Sequence, residues 1–343
     1  MDEYQHPYYQ PFTQRWHKKF EPKGDEVDDF SFVIVENGVA FAGVLVMLYL
    51  DDQGNHKLSA SGKPILFLEN RNADYYDAQR AYQAVREEFD RILEKHATAA
   101  MIYWDFLKSQ EMSFLGQYFL EKGAFATPYI TRMIDLSETE EQLHQKLRKS
   151  FKSLVNWGNN NLAIKIFDEN TITPSDIEKF RLLHLKVAGR QTRSQESWDV
   201  QYDMVVNKEA FLMLGDLNNE LATGVFMYIS KRLCYYGTSV SRRELFDKPM
   251  SHGLLWKSIV YAKNKGCKYF ELGEQVYPRQ ANKVSYGVYE DVSRIYAPDE
   301  KALNIATFKR GFGGNTVVRL DIRWQNNIFS NQNREQCGAS KNA

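Results

Sequence analysis

The sequence predicts an α/β (α+β) protein of two domains, each with a mixed, mainly antiparallel sheet flanked by helices. Three observations lead to this prediction. The chain has 343 residues, of which 43% are hydrophobic, and this is enough to fill two cores. A strand meander followed by helix, strand, helix and strand occurs twice along the chain. In both halves a glycine ends the last helix before the final strand begins.

Charge and cysteine content exclude several classes of protein. Lys plus Arg and Asp plus Glu each number 44, so no net field attracts the chain to DNA or to an anionic membrane. Cys234, Cys267 and Cys337 lack metal or disulfide spacing, which favours a reducing cytosol. The N-terminus has no apolar signal segment, and the most apolar run, residues 39–50, is too short to span a bilayer. We therefore expect a cytoplasmic protein without a metal site or a transmembrane segment.

The first half contains the signals of a hairpin, two helices and further strands. Asn37-Gly38 supplies the positive φ values of a type I′ turn between two β-rich runs. A long amphipathic segment carries Val85, Phe89 and Ile92 on one face, as a half-buried helix does. The aromatic N-terminal segment is predicted to be irregular. The predicted elements are an irregular segment 1–29, strands 30–35, 39–50, 63–68, 99–104 and 129–136, and helices 75–96 and 113–122, which together make a first domain of residues 1–136.

The second half begins at a capping box, in which Ser137 is the predicted N-cap and Glu140 the N3 residue. The helix that follows is predicted at residues 143–157. Its flank carries Arg148 and Lys152 at i, i+4 spacing. This basic flank is either a solvated surface or a binding site for an anionic substrate.

The next helix opens with Thr173-Pro174, the preferred N-cap and N1 residues. His184 lies on its apolar face and is predicted to be a core histidine. The loop beyond carries Arg190 and Arg193 with no acidic residue before Glu196. Because a guanidinium matches phosphate and carboxylate geometry, this loop either binds substrate or forms a structural ion pair.

The rest of the second half repeats the order of the first, and a long loop interrupts it. This loop, residues 273–298, contains Tyr277, Tyr286 and Tyr289, which could stack on a sugar or a nucleobase. The predicted elements are strands 210–215, 221–230, 233–240, 268–272 and 316–324 and helices 254–265 and 299–310. The second domain is therefore predicted at residues 137–324, followed by a disordered tail at 325–343.

The segment 307–314 ends the last predicted helix with Gly311, Gly313 and Gly314 just after Lys309 and Arg310. It is either a glycine-capped helix or a basic, glycine-lined wall of a substrate site. The corresponding place in the first half has the single glycine Gly123, so the additional glycines and the basic pair favour the substrate site.

No nucleophile elbow, zinc motif, Walker loop or dinucleotide fingerprint is present. Several segments of residues 137–324 instead resemble Fem-type aminoacyl transferases and related acyltransferases, which consist of two domains with the GCN5-related N-acetyltransferase (GNAT) fold. The segments that carry the resemblance are Leu143-x-x-x-Leu147-Arg148-Lys149-Ser150-x-Lys152-Ser153, His184 with Ala188-Gly189-Arg190-x-Thr192-Arg193, Tyr235-Tyr236-Gly237-Thr238-Ser239, His252-Gly253-Leu254-Leu255-Trp256, Phe270-Glu271-Leu272-Gly273 and Phe308-Lys309-x-Gly311-Phe312-Gly313-Gly314.

The resemblance implies attack of a substrate amine on an activated acyl carbon, without a covalent enzyme intermediate. Lys309 would hold the acyl donor and stabilise the oxyanion, Glu271 or Glu274 would accept the amine proton, and Tyr236 and His252 are further acid–base candidates. The implied substrate-binding residues are Arg148, Lys152, Arg190, Arg193, Glu274, Tyr277, Phe308, Gly311, Gly313 and Gly314. One departure is that 247–253 contains a single glycine and a proline where GNAT proteins carry a glycine-rich pyrophosphate loop.

Three functions remain open at this point. The first is N-acylation of an amino sugar or cell-envelope precursor, with acyl-CoA as co-substrate and no permanently bound cofactor. The second is Fem-type transfer of an amino acid from aminoacyl-tRNA to a peptidoglycan precursor, although no helical hairpin insertion is evident. The third is a catalytically inactive binding protein with the same fold, which the altered pyrophosphate loop favours.

Overall fold

The structure is a computed structural model that describes residues 6–20, 28–36, 38–50, 54–70, 75–96, 100–107, 111–277 and 299–325. It confirms the predicted class, since mainly antiparallel sheets are flanked by helices. The chain divides into two compact units. Unit 1 comprises Met1–Tyr129, Arg193–Gln201 and Val318–Ala343, and unit 2 comprises Ile130–Thr192 and Tyr202–Val317. The domain boundary after residue 136 stays a prediction.

Unit 1 contains two sheets and a large amphipathic helix. One sheet has the order β1-β4-β5-β7-β14 and the other the order β2-β3-β6. Helix α2 buries Val85, Phe89 and Ile92 completely, as its predicted apolar face requires. The elements are a 3₁₀ turn at Pro7–Tyr9, α1 (Pro11–Phe20), β1 (Asp28–Asp29), β2 (Phe32–Glu36), β3 (Val39–Leu45), β4 (Met47–Leu50), β5 (His56–Ser59), β6 (Leu66–Glu69), α2 (Tyr75–Lys95), β7 (Ala100–Asp105), α3 (Phe114–Glu121), the start of β8 (Phe125–Asp135) and most of β14 (Asn315–Gln325).

The N-terminal segment is helical where the sequence predicted irregular structure. Pro7 and Pro11 each open a helical turn, and proline is favoured at a first helical position. Trp16 and His17 are buried in α1. The aromatic residues Phe12 and Trp16 stand four residues apart, which is a helical period that the sequence already contained.

Unit 2 is built on a sheet of order β8-β13-β12-β11-β10-β9. Neighbouring strands within β9 to β13 run antiparallel, apart from the parallel pair β12 and β13. Its core includes Phe151, Val155, Leu254 and Phe270. The elements are α4 (Glu140–Gln145), α5 (Lys149–Asn161), β9 (Ala163–Phe167), α6 (Pro174–Ala188), α7 (Gln195–Val206), β10 (Ala210–Leu217), β11 (Glu220–Ile229), β12 (Leu233–Ser241), a 3₁₀ turn at Arg243–Leu245, α8 (Met250–Asn264), β13 (Tyr269–Glu274) and α9 (Glu300–Arg310). The first residues of α7 belong to unit 1.

Two predictions about the helices at the start of unit 2 are wrong. The capping box uses Thr139 and Gln142 instead of Ser137 and Glu140, because the Thr139 hydroxyl accepts from the Gln142 amide and the Gln142 side chain accepts from the Thr139 amide. The single helix predicted at 143–157 is two helices, because the Arg148 amide donates to the Gly311 carbonyl at 2.9 Å. This contact with the end of α9 replaces a bond within a continuous helix.

The helix signals farther along unit 2 are partly confirmed. Thr173 and Asp176 form a capping box and Gly189 ends α6 in the left-handed region with a φ of 70°. His184, however, is half-buried and lies 3.4 Å from the Thr192 hydroxyl, so it is not the core histidine that we predicted. Helix α7 was missed. Across the described ranges, no helix combines the length and hydropathy needed to cross a bilayer.

Candidate functional site

The parallel strands β12 and β13 diverge and leave an opening in unit 2. They pair only over Leu233–Tyr235 and Tyr269–Glu271. Beyond these residues β12 continues along β11 to Ser241, whereas β13 continues along β8. Open α/β sheets bind ligands beyond the carboxyl ends of parallel strands where neighbouring strands separate. The fold therefore predicts a ligand-binding site at this opening.

Glu271 lies at the point of divergence and is fully buried. Its Oε1 accepts a hydrogen bond of 2.8 Å from the Thr131 hydroxyl on β8. Tyr235 is its register partner on β12, so the two side chains point to the same face of the sheet. The structure thus places a carboxylate and a phenol side by side at the opening.

Gly273 lets two polar groups approach the strand end. A Cβ atom built on this residue would stand 3.1 Å from the Tyr235 hydroxyl and 3.4 Å from Lys309 Nζ. Its φ of 77° also favours glycine. The hydroxyl and the ammonium group therefore occupy the space that a larger side chain at this position would fill.

Lys309 reaches this site from the last turn of α9. Its Nζ is 3.4 Å from the Glu274 carbonyl oxygen, to which it donates. Burial lowers the pKa of Lys309 from its ordinary value, while the charges of Glu274 and Glu271 act in the opposite direction. The structure thus brings Lys309 close to Glu271 and Glu274, and their catalytic roles stay a prediction.

Tyr236 lies on the opposite face of β12, because successive strand residues alternate. It is half-buried against the apolar core of unit 2, and burial raises the pKa of its hydroxyl. Tyr235 and Thr131 take the places beside Glu271, and sequence reasoning missed both. Strand alternation could have identified Tyr235, whereas Thr131 comes from a strand far away in the sequence.

His252 and Phe308 belong to an aromatic cluster formed with Phe151 and Phe312. The His252 ring centre is 4.5 Å from that of Phe151 and 5.1 Å from that of Phe308. Burial is the main cause that lowers the pKa of His252, and the Arg148 guanidinium contributes. Its Nδ1 is buried and finds no hydrogen-bond partner within the described ranges. The lowered pKa favours the neutral form of His252, which packs among the aromatic rings.

A cavity of about 400 Å³ lies at the N-terminus of α8, beside this aromatic cluster. The N-cap Pro249 supplies no side-chain hydrogen bond, and the first turn contains no acidic residue. The amide dipoles of the first turn therefore favour an anion there. The lining residues are Leu154, Ser241, Phe246, Asp247, Lys248, Pro249, Met250, Ser251, His252 and Phe308.

Each glycine of segment 307–314 has a local structural reason. A Cβ atom on Gly311 would overlap the Phe151 ring. Gly313 and Gly314 have φ values of 84° and 74°, and a Cβ on Gly314 would stand 2.5 Å from the Met133 carbonyl oxygen. Gly313 and Gly314 also line a cavity of about 260 Å³ with Arg132. Their role in substrate binding stays a prediction.

The predicted basic residues are scattered. Arg148 donates to the Thr307 carbonyl at 2.8 Å and covers the Phe151 ring, so it joins α5 to α9. Lys152 is half-buried and Arg190 exposed, and neither has a polar partner among the described residues. Arg193 stacks on Trp198, with its guanidinium carbon 4.1 Å from the ring centre.

Two further predicted features concern the long loop and metal binding. Tyr277 is exposed, with the Arg310 guanidinium carbon 5.1 Å from its ring centre. Tyr286 and Tyr289 lie outside the described residues, as does the tail from residue 326. In the part of the chain that the structure describes, no group of three His, Cys, Asp or Glu side chains could hold a metal ion.

Comparisons with solved structures place this architecture among known proteins. The structure of FemX matches with a TM-score of 0.62 at 12% identity, over 93% of this chain and 96% of FemX. The L-PGS of Bacillus licheniformis matches with a TM-score of 0.55 at 11% identity, over 93% and 92%. A tandem GNAT protein from the clavulanic acid biosynthesis pathway matches with a TM-score of 0.50 at 12% identity, over 88% and 84%. No protein-family model and no curated protein sequence matches the chain.

These likenesses show a tandem GNAT-like fold of the Fem type over almost the whole chain. The predicted resemblance is thus confirmed at the level of fold. The sequence identities are too low to transfer a substrate or a donor.

Proposed function

We propose that the chain is an N-acyltransferase that transfers an acyl group to the amine of an amino sugar or cell-envelope precursor. The observation that carries the proposal is the meeting of Glu271, Tyr235 and Lys309 where β12 and β13 diverge. A carboxylate, a phenol and a cation at one opening supply a base, an acid and a charge for an oxyanion.

In the proposed reaction the donor is an acyl-CoA thioester. The acceptor nitrogen forms a bond to the acyl carbon, and the bond between that carbon and the donor sulfur breaks. Glu271 takes the proton that the nitrogen loses, and Tyr235 gives a proton to the leaving thiolate. The Lys309 ammonium stabilises the oxyanion that forms when the nitrogen attacks and that collapses when the carbon–sulfur bond breaks. Thr131 holds Glu271 in place through its 2.8 Å hydrogen bond.

The donor phosphates would bind in the cavity at the start of α8. The helix N-terminus favours an anion, and Lys248 and the Ser251 hydroxyl line the same space. The cavity of about 400 Å³ fits part of a donor of coenzyme A size, since ligand pockets hold about 300 to 1,000 Å³. Pro249 stands where a standard coenzyme A site has a glycine-rich pyrophosphate loop.

That proline and the likeness in fold to FemX, together with the resemblance to Fem-type transferases, support a second candidate, in which the donor is an aminoacyl ester on tRNA. The same residues would act, and the bond that breaks would join the acyl carbon to oxygen. The two candidates differ in the donor group that occupies the start of α8 and in the bond that breaks.

The test is a mass-spectrometric assay of amide formation with amino-sugar nucleotides as acceptors and either acyl-CoA or aminoacyl-tRNA as donor. Lys309→Met is the loss-of-function variant and Lys301→Met, on an exposed part of the same helix, its matched control. Amide formed from acyl-CoA and lost in Lys309→Met supports the first candidate, and amide formed only from aminoacyl-tRNA supports the second. Donor binding without any amide product would instead indicate an inactive binding protein.

A further inference from the structure

Unit 1 contains a cavity of about 660 Å³ that the proposed acyl transfer does not use. It opens where β6 and β7 separate. Ile65 and Tyr103 form an isolated parallel bridge. Beyond it β6 pairs with β3, whereas β7 pairs with β14 along its whole length. The cavity therefore lies beyond the carboxyl ends of two diverging parallel strands, where ligands bind in open α/β sheets.

The charged groups that line this cavity are mostly acidic. Four carboxylates, those of Glu69, Asp105, Glu111 and Glu121, face the single guanidinium of Arg86 among the described lining residues. Arg86 is already paired with Glu121 at 2.9 Å. Asp105 is fully buried and accepts from the Ser113 amide and hydroxyl. Glu69 and Glu111 therefore remain available to a bound cation.

Glu69 is held in place on the cavity wall. Its Oε2 accepts a 2.9 Å hydrogen bond from the Tyr82 hydroxyl, and burial together with this carboxylate raises the pKa of Tyr82 to about 12. The hydroxyl thus remains a donor and orients the carboxylate across the physiological range. Glu111 is exposed and has no ion-pair partner in the described part of the chain.

Part of the lining, next to Glu69, is aromatic. The rings of Tyr82 and Phe114 stack with centres 4.4 Å apart and planes 5° apart. Both residues line the cavity, with the amide side chains of Asn70, Gln79 and Gln117 nearby. The Arg86 guanidinium carbon lies 5.9 Å from the centre of the Phe114 ring. Aromatic rings among acidic side chains suit a ligand with carbon segments and positively charged ends.

We propose that this cavity binds a small organic cation bearing primary ammonium groups, with Glu69 and Glu111 as its counter-charges and the Tyr82–Phe114 stack as its apolar wall. The volume admits a drug-sized molecule, since such sites span about 300 to 1,000 Å³. An anionic ligand would meet the carboxylates of Glu69 and Glu111, so we expect it to bind less well than a cation. This site does not rest on the proposed acyl transfer.

Titration calorimetry of the full chain with 1,5-diaminopentane and with spermidine tests the proposal, with 1,5-pentanediol and glutarate as neutral and anionic controls. Both amines are expected to bind and neither control is. Binding should weaken as ionic strength rises from about 20 mM to about 200 mM, because salt screens exposed charges. Failure of both amines to bind, or equal binding of the diol, would overturn the proposal.

Three variants locate the binding. Glu69→Gln keeps the acceptor for Tyr82 but removes the charge, and we expect it to weaken spermidine binding about tenfold. Ala78→Trp places a large side chain on the lining and should abolish binding. Glu94→Gln lies on the same helix outside the lining and should bind as the unmodified chain does. If Glu69→Gln and Ala78→Trp, each with an unchanged melting temperature, bind normally, the ammonium site is elsewhere and the proposal fails.

Discussion

At the scale of single residues, the proposed chemistry depends on Glu271. Glu271→Gln keeps an oxygen to accept from Thr131 but cannot take a proton. We expect kcat to fall about 10²-fold or more with little change in KM, since general base catalysis contributes about 10²- to 10⁴-fold. Steady-state kinetics of amide formation measure both constants, and Glu300→Gln, at the exposed first residue of α9, is the control. An unchanged kcat would remove Glu271 from the reaction.

Lys309 gives a prediction on pH. Burial lowers its pKa from the ordinary value of 10.5, so the buried ammonium group loses its proton at a lower pH than an exposed lysine does. Donor affinity should therefore decline as the pH rises towards that ordinary value. Lys309→Arg keeps its charge at alkaline pH and should retain affinity there. Fluorescence titrations of donor binding at several pH values compare the two, and identical alkaline declines would contradict the assignment.

The sequence could identify a residue of this site only where a pattern of neighbouring residues indicates it. Glu271 and Lys309 stand in recognisable segments, so they were predicted, and the structure brings them together. Tyr235 was passed over for its neighbour Tyr236, and only the alternation of β12 separates the two. Thr131 contacts Glu271 across a large distance in the sequence. No local pattern indicates such a pairing.

At the scale of elements, α5 and α8 are in close backbone contact at two glycines. A Cβ on Gly158 would stand 2.7 Å from the Gly253 Cα. Gly158→Ala gains about 1 kcal/mol in helix propensity but must move the helices apart. Because overpacking costs about 1 to 3 kcal/mol, we expect a lower free energy of unfolding. Urea denaturation measures it, and Asn160→Ala on the exposed face of α5 is the control. A stabilised Gly158→Ala variant would show that the helices separate without cost.

The aromatic cluster of α5, α8 and α9 gives a prediction on acid stability. The pKa of His252 is lowered below its ordinary value of 6.5, mainly by burial. Between the lowered pKa of the folded state and the ordinary pKa of 6.5, the unfolded chain therefore binds more protons than the folded chain does. The free energy of unfolding falls as the pH drops through that window. His252→Phe should lose less stability between about pH 7 and about pH 5 than the unmodified chain. Thermal unfolding at both pH values tests this, and equal losses would exclude His252 as the cause.

Prediction of whole elements succeeded where signals are local and failed where a distant partner decides. Thr173-Pro174 and Gly189 bound α6 as the sequence predicts. The break between α4 and α5 could not be read locally, because the Arg148 amide binds the Gly311 carbonyl of a much later segment. The glycines at 311–314 show the same limit. Their sequence suggested a binding loop, and their packing against Phe151 and Met133 appears only in three dimensions.

At the scale of the whole molecule, unit 1 is assembled from three parts of the chain. The strand β14 pairs with β7 from Leu320 to Gln325, and Ile322 is buried in the unit 1 core. Arg193 also covers the Trp16 ring of α1, at 5.7 Å from the guanidinium carbon to the ring centre. The order of predicted elements indicated two domains. It did not indicate that later segments of the chain complete unit 1, because the sequence of β14 does not show which strand it pairs with.

This assembly predicts that the fragment 1–136 is not stable alone. Without β14 the strand β7 exposes unpaired amides and carbonyls, and such edges promote aggregation. The core also loses Ile322, and burial of one such side chain contributes about 1.5 to 3 kcal/mol. We expect the fragment to unfold at a lower temperature than the full chain, or to aggregate, as followed by circular dichroism and light scattering. A fusion of 1–136 through a flexible linker to 315–325 restores the strand and should recover part of the loss. If the bare fragment instead unfolds cooperatively at the temperature of the fusion, β14 contributes nothing to the stability of unit 1, and residues 1–136 form an independent domain.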